Sequence, residues 1–482
     1  MTGALSTIWY NMINFLLNNK NISTELPSGM VVLDFLRHSQ RLVSTKEGCR
    51  EGDCGACLIL VGKWNGDTVS YQPVNSCLLP LAELDSKHVV TIEGLNNDEL
   101  NPIQAAIVSQ GATQCGYCTP GIVISLTGFF LSKKNFKTQE AIASLDGNLC
   151  RCTGYQSIKR AANQLCQKFT RSDVSQSQIQ WLVKEQILPN YFLQIPERLQ
   201  QLPSSQIDSS SEISQTAVVV GGGTDLWVQK PVNLYHADLT FLSDRTNLKG
   251  IQIEKNCCYI GATTSIEDMK NSPILQAFFP KIHEHFKLIA STPIRHRATV
   301  GGNIVNASPI GDLTIFFLAL GASITLSDGQ NQRELALKDF FKGYKQLNKH
   351  NNELVECLSF PQPVKNTFFN FEKVSKRTNL DIASVNSAIQ ITVDNGIIQQ
   401  VLLSAGGVAP IPFYLTKTVN YLIGKELKVD SIREAGLLAQ SEISPISDIR
   451  GSINYKRLLL RQLIYAHFIT LFPKQIKMEE LR

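Results

Sequence analysis

The chain has no apolar run that could span a bilayer. Its most hydrophobic stretch, LTIFFLALGASITL (313–326), is too short and too broken by polar residues. The leading MTGALSTIWYNMINFLL has no basic n-region and no small-residue cleavage site, which argues against a secretion signal. There is no strong charge bias, since 46 Lys and Arg face 41 Asp and Glu, a net of +5. No basic run or basic–aromatic stripe stands out, so nucleic acid is not an indicated partner. Disorder is excluded by 43% hydrophobic against 18% charged residues, enough to bury large cores. These absences predict a soluble cytoplasmic protein with no membrane or nucleic-acid partner. A length of 482 residues predicts about three domains, at roughly 150 residues each.

What is present is cysteine, twelve in all. In a reducing compartment they do not form a disulfide framework. Cys166, Cys257, Cys258 and Cys357 are scattered in apolar surroundings and read as core residues. The other eight fall into two groups of four before residue 153.

The first group lies in KEGCREGDCGACLIL (46–60) and is completed by Cys77, in the pattern C-x4-C-x2-C-x19-C. This is plant-type [2Fe–2S] spacing. Gly48, Gly52 and Gly55 allow the loop to wrap an anionic cluster and aim N–H groups at its sulfides. A zinc site fits less well, because structural zinc favours paired C-x2-4-C knuckles. Strand-like and helix-like segments alternate around the loop, as in a small mixed sheet. The second group opens with QCGYCTPGIVISLTGFFL (114–131), where Thr119 reads as an N-cap and Pro120 as the first helical residue. The helix would point its positive end at Cys115 and Cys118. A helix capped by Thr138 and stopping at Asp146-Gly147-Asn148 leads to CRCTGY, with Cys150 and Cys152, and a further helix covers 156–169. In an extended segment residues two apart share a side, so both thiolates can reach one cluster. The alternative is a zinc-stapled helix hairpin, which the C-x-C pair fits poorly.

GCREGDCGACL, NSCLLPL, QCGYCTPG and NLCRCTGY together resemble the iron–sulfur part of the molybdenum hydroxylases, the xanthine dehydrogenase and aldehyde oxidase family. All eight cysteines match, so Cys49, Cys54, Cys57 and Cys77 would hold one [2Fe–2S] cluster and Cys115, Cys118, Cys150 and Cys152 the other. The resemblance extends from about residue 8 to about residue 475. It implies a multidomain α+β chain: a β-grasp ferredoxin domain (7–92), an all-α helical-bundle [2Fe–2S] domain (93–170), a linker (171–190), a two-part α+β FAD-binding domain of the PCMH or vanillyl-alcohol-oxidase type (191–364), and a C-terminal α+β domain (365–475) with a three-stranded sheet. The linker reading also rests on composition, since 171–216 is rich in Ser and Gln, with a short helix near 196–202.

In TAVVVGGGTDLWVQK (216–230) a strand runs into three glycines. A Rossmann loop is excluded, because Leu226 stands where G-x-G-x-x-G needs its third glycine. The turn can still expose N–H groups to a pyrophosphate, or be an ordinary turn. TPIRHRATVGGNIVNASPIGDL (292–313) is a second tightly turning stretch, followed by an apolar helix. Both resemble the flavin-binding domain of the same family. By that resemblance Val219, Val220, Gly221, Gly222, Gly223, Thr224, Asp225 and Leu226 would line the FAD pyrophosphate and ribityl chain. Gly301, Gly302, Asn303 and Ser308 would lie along the adenosine diphosphate, Asp312 would bind a ribityl or ribose hydroxyl, and Thr299 would lie near the flavin. Lys373, with Lys376 as rival, matches a lysine near the flavin pyrimidine edge, where its charge would stabilise reduced flavin by roughly 4 kcal/mol at most.

The resemblance also implies a relay. Electrons from purine hydroxylation at a molybdenum–pterin centre would pass through the two clusters to FAD and on to NAD+. The molybdenum domain would lie on a large partner subunit, in an assembly of two small and two large chains, and no catalytic residue is expected here. An aldehyde or nicotinate-like heterocycle is the alternative substrate, and a zinc-binding protein without enzymatic activity is the alternative class. In carbon monoxide dehydrogenase-like members the iron–sulfur and flavin parts are usually separate chains. No local NAD signature is present.

Overall fold

The computed structural model describes residues 12–170, 177–203, 216–243 and 245–481. The Ser- and Gln-rich stretches 171–176 and 204–215, and the expected domain start at residue 7, lie outside the described residues. Chain contacts divide the protein into two units. The first takes in the described residues up to 203, with Thr216–Phe241 and Ser291–Arg297; the second takes in Leu242–Ala290 and the chain from Ala298 onward.

The first unit opens with a five-stranded sheet. Its strands are β1 (Ile13–Leu17), β2 (Lys20–Thr24), β3 (Leu58–Trp64), β4 (Val69–Asn75) and β5 (Lys87–Val90), in the order β2-β1-β5-β3-β4. β1 is buried at all five positions and pairs parallel with β5, whereas its antiparallel neighbour β2, KNIST, is a polar edge strand. That difference is what covered and uncovered positions in a sheet demand. A short helical segment, Val32–Ser39, crosses the sheet and packs Val32, Phe35 and Leu36 against Phe15 and Ile59. This is the β-grasp arrangement expected from the sequence.

Four helices follow: α1 (Pro102–Ser109), α2 (Thr119–Ser132), α3 (Thr138–Ala143) and α4 (Gln156–Lys168). α1 begins with a capping box between Asn101 and Gln104. α2 is apolar all round and forms the buried axis of the bundle. The expected caps shift by one residue. Cys118 is the N-cap of α2 and Lys137 that of α3, so Thr119 and Thr138 are the first helical residues, bonded through their hydroxyls to Thr113 and Asn163. The region expected as a linker to residue 190 is helical over Gln178–Lys184. Ser177 and Gln180 form a capping box there, and Trp181, Leu182, Ile187 and Phe192 join the core of the bundle.

The second unit has a five-stranded antiparallel sheet in the order Gln332–Ala336, Ser323–Ser327, Leu354–Pro361, Cys257–Gly261, Ile251–Glu254. A second antiparallel sheet is built from Thr367–Val374, Val385–Asp394, Ile397–Gly406 and Phe413–Tyr414. It has four strands where three were expected, because Phe413–Tyr414 adds to its edge. Val429–Glu442 and Ile453–Leu471 are helices, and both contribute to the hydrophobic core that this sheet closes. Cys258 and Cys166 are buried and Cys257 and Cys357 half-buried, and all twelve cysteines are free thiols.

Candidate cofactor sites

The first cage is built on the loop between the Val32–Ser39 helical segment and β3. Lys46 N–H bonds Ala56 O at 3.1 Å and closes the loop on itself. Gly52 and Gly55 have φ of +78° and +68°, and a Cβ on Gly55 would lie 2.3 Å from Gly147 O. Only glycine meets both conditions. Arg50 also takes a left-handed conformation, at φ 56°, and is held in it by ion pairs to Asp34 at 2.6 Å and Glu47 at 2.7 Å. The loop and the turn after β4 bring the thiols together in twos. Cys57 Sγ lies 3.3 Å from Cys77 Sγ, and Cys49 and Cys54 lie close enough to shift each other's titration. N–H groups of Glu51 and Asp53 point at Cys49 Sγ at 3.4 and 3.3 Å, and Asn75 Nδ2 at Cys57 Sγ at 3.8 Å.

The second cage has the same plan. Cys152 Sγ lies 3.5 Å from Cys115 Sγ, and Cys118 and Cys150 lie close enough to shift each other's titration. The segment departs from the extended form expected: Cys150 lies in irregular chain and Arg151 and Cys152 in a bend, yet both thiols reach the same cage. Cys150 is buried and Cys152 exposed, and each goes to a different partner. Tyr155, at φ 65°, makes the bend and accepts from Cys150 N–H through its hydroxyl oxygen at 3.0 Å.

The thiol pairs show what each cage is suited to hold. Two thiols this close share one proton, since two unshielded thiolates repel. Cys54 accordingly draws Cys49 down to about 5, with the neighbouring N–H groups helping, while Cys54 itself is pushed up. Cys57 is lowered by its bond to Cys77, and Cys77 is raised by the same bond. Burial, then Cys150, raises Cys118 to about 12. A cation between the sulfurs would take over the proton's role. Tetrahedral metal at about 2.3 Å from each sulfur holds two thiolates about 3.8 Å apart, close to the separations observed. Among the described residues no three ligating side chains converge on one point. Two sulfurs for each of two irons, with bridging sulfides completing each tetrahedron, is the arrangement a [2Fe–2S] cluster requires. The cages therefore fit the clusters their spacing implies.

The two cages adjoin. Cys54 O accepts from Leu149 N–H at 3.0 Å, and Leu149 precedes Cys150 of the second cage. Gly55 and Gly121 let the backbones meet, since a Cβ on Gly121 would lie 2.0 Å from Gly55 O. Asp146 anchors this turn, accepting from Thr292 N–H at 2.8 Å and pairing with Arg295 at 2.9 Å, both side chains nearly sealed from solvent.

The glycine loop also belongs to the first unit. Val218–Val220 pairs parallel with Leu239–Phe241, and the loop 221–225 follows. Gly223, at φ +74°, lies against the Trp227 ring, and Trp227 Nε1–H donates to Gly29 O at 3.0 Å. Gly222 O accepts from the Arg297 guanidinium at 2.8 Å.

In the second unit Thr299 caps the helix Val300–Asn306 by accepting from Gly302 N–H at 3.2 Å. Gly301 packs on Ala262, which a Cβ would strike at 2.8 Å. Ser308 accepts from Ile310 N–H, and Asn303 from the Thr314 hydroxyl. Asp312 opens the helix Asp312–Leu318 and is paired with Lys373 at 2.6 Å, although 61 residues separate them. Asn386 donates to the same carboxylate, and Lys373 also donates to Leu288 O at 2.7 Å. Burial raises the Asp312 carboxyl against the pull of Lys373. Lys376 lies in an exposed turn. Asn386, Arg297 and Arg295 were not singled out in the sequence, and Asp146 only as part of a helix stop. The one signal was two arginines in IRHR beside apolar neighbours.

Four protein families match the chain in succession. Residues 15–82 match the 2Fe-2S iron-sulfur cluster binding domain and 91–163 the [2Fe-2S] binding domain. Residues 193–363 match the FAD binding domain in molybdopterin dehydrogenase, and 371–471 the CO dehydrogenase flavoprotein C-terminal domain. Among curated proteins the chain is 27% identical to xanthine dehydrogenase 1 of Arabidopsis thaliana, over 92% of this chain and 38% of that protein. It is also 27% identical to xanthine dehydrogenase of Emericella nidulans, over 96% and 39%. The chain thus spans about two fifths of the length of the curated relatives it matches. Among solved structures, a carbon monoxide dehydrogenase from Hydrogenophaga pseudoflava aligns with a TM-score of 0.50 at 26% identity, over 53% of this chain and 89% of that one. Quinoline 2-oxidoreductase of Pseudomonas putida 86 aligns at 0.50 and 20% identity, over 55% and 92%, a likeness of fold alone. Two [2Fe–2S] domains, a FAD-binding domain and a flavoprotein C-terminal domain in this order are the electron-transfer portion of a molybdenum hydroxylase, and the chain belongs to that family.

Proposed function

We propose that this is the iron–sulfur and flavin part of a xanthine dehydrogenase, conducting electrons from purine hydroxylation at a molybdenum centre to NAD+. The observation that carries the relay is the convergence of eight thiols in four pairs. The purine assignment is supported by likeness to xanthine dehydrogenases over 92–96% of the chain. The carbon monoxide dehydrogenase likeness covers only 53%.

The clusters supply one-electron steps and FAD joins two of them to a two-electron acceptor. The chain's own residues do the rest. Cys49, Cys54, Cys57 and Cys77 hold one cluster and Cys115, Cys118, Cys150 and Cys152 the other. N–H groups of Glu51 and Asp53 stabilise negative charge at Cys49. The Cys54 O to Leu149 N–H hydrogen bond joins ligands of the two cages through backbone alone. By the family resemblance residues 219–226, Thr299, Gly301, Gly302, Asn303, Ser308 and Asp312 are assigned to FAD. Lys373, whose charge is oriented by Asp312, is assigned to the flavin.

The molybdenum site belongs to a partner or to sequence beyond this chain, with two copies of each part in the assembly. Purified chain is expected to be brown, with iron, acid-labile sulfide and flavin, and to pass electrons from NADH to a dye. A colourless zinc-containing sample overturns the relay. Flavin-loaded protein that cannot oxidise NADH overturns the NAD+ assignment. Activity of the complete enzyme on an aldehyde or nicotinate but not on xanthine overturns the purine assignment.

A further inference from the structure

The segment Ser291–Arg297 lies apart in sequence from the rest of the first unit, yet packs into it. Its last residue has a specific set of partners. Arg297 donates through one terminal nitrogen to Gly222 O at 2.8 Å, within the glycine loop. Its other terminal nitrogen faces Glu83 Oε2 at 3.7 Å, on the turn that follows the ligand Cys77. Glu83 is in turn paired with Lys87 at 3.5 Å. The Arg297 and Glu83 side chains are 12% and 4% exposed, so this is a largely dry contact. The third guanidinium nitrogen, Nε, is buried and has no hydrogen-bond partner.

We infer that Arg297 is a positioning residue for FAD, clamping the glycine loop to the first-cluster domain through Gly222 O and Glu83. The inference rests on the assignment of residues 219–226 to FAD and adds a residue to it. A rigid planar fork suits the task, because it can engage a carbonyl and a carboxylate at once from one fixed plane. Pinning Gly222 O fixes the peptide plane that precedes Gly223, and so the direction of the N–H that the loop offers a phosphate. Lysine reaches one of these acceptors at a time.

The test uses the purified chain with its clusters, stripped of flavin and titrated with FAD by flavin fluorescence quenching. Arg297→Gln is expected to raise the FAD dissociation constant at least tenfold, with cluster absorption per chain unchanged. Arg297→Lys is expected to recover part of the affinity and Glu83→Gln to lose part of it. A purely structural arginine would show no such graded rescue with the clusters intact. An Arg297→Gln chain that binds FAD within twofold of wild type overturns the inference. So does loss of flavin and clusters together in Arg297→Gln, if Arg297→Lys and Glu83→Gln keep wild-type affinity. A wild-type chain that takes up no FAD overturns the flavin assignment and this inference with it, whereas tight wild-type binding with unaffected variants overturns the inference alone.

Discussion

Asp146→Ala is the most demanding test of how the cages are held. Asp146 and Arg295 are paired at 2.9 Å with side-chain exposures of 9% and 1%. The same carboxylate accepts from Thr292 N–H and from its hydroxyl, at 2.8 and 3.0 Å. Removing it takes away the carboxylate that faces a nearly sealed guanidinium, which costs about 3–5 kcal/mol. The lost hydrogen bond to Thr292 N–H falls within the same figure, since contributions of one network do not add. Asp146 begins the turn Asp146-Gly147-Asn148-Leu149 that delivers Cys150, and Leu149 N–H makes the bond to Cys54 O. The damage should therefore reach the second cage first. Urea unfolding followed by visible circular dichroism of the clusters is expected to show a lower midpoint, with the second-cluster signal lost ahead of far-ultraviolet ellipticity. Arg295→Met added to Asp146→Ala should restore much of the loss, because an apolar side chain of similar size needs no counter-charge. The exposed pair Arg433–Asp430, 45% and 95% exposed, provides the control, and Asp430→Ala should leave the midpoint unchanged. An Asp146→Ala midpoint equal to wild type, or a double variant no better than the single, would refute the reasoning.

Acid should destabilise both units. Burial holds His88 and His467 down to about 3 and His285 to about 4, from 6.5. All three fold neutral while the unfolded chain takes up protons below 6.5, so stability is full above that value and falls as pH drops toward 3–4. Each histidine loses about 2 kcal/mol by about pH 5. Urea midpoints that do not move between neutral pH and about pH 5 would contradict this burial. Cys57→Ser and Cys115→Ser should each remove one cluster and spare the other, halving iron and labile sulfide per chain; loss of neither would dissolve the assignment of two separate cages. Gly55→Ala places a methyl 2.3 Å from Gly147 O at a left-handed φ, so it should cost about 2–4 kcal/mol or misassemble the cages, seen as lowered cluster content in purified protein. Lys373→Met should leave Asp312 without its cation, raise the flavin's resistance to reduction and weaken FAD retention, both read by spectroelectrochemical titration; an unshifted flavin midpoint would remove Lys373 from the site.

Much of this was legible in the chain itself. Cluster ligands announce themselves, because a thiolate cage needs cysteines at short fixed spacing and glycines where the loop must turn tightly. LILVGKW reveals its place in the sheet through the apolarity that coverage demands. The glycine loop was legible as a turn, and the failure of its third glycine excluded the Rossmann alternative. Long-range partners were not legible. Nothing in TPIRHR says that Arg295 meets Asp146 or that Arg297 meets Glu83 and Gly222, since ion pairs across 149 or 214 positions leave no local pattern.

The sequence by itself indicated two groups of four cysteines and the order of the domains, because those depend on residue type and spacing along one strand of chain. Only the tertiary structure decided which thiol faces which, and that Lys373 lies on Asp312. Each of those depends on where separate segments come to rest after their apolar faces are buried, and burial constrains distance without writing it into any short stretch of residues.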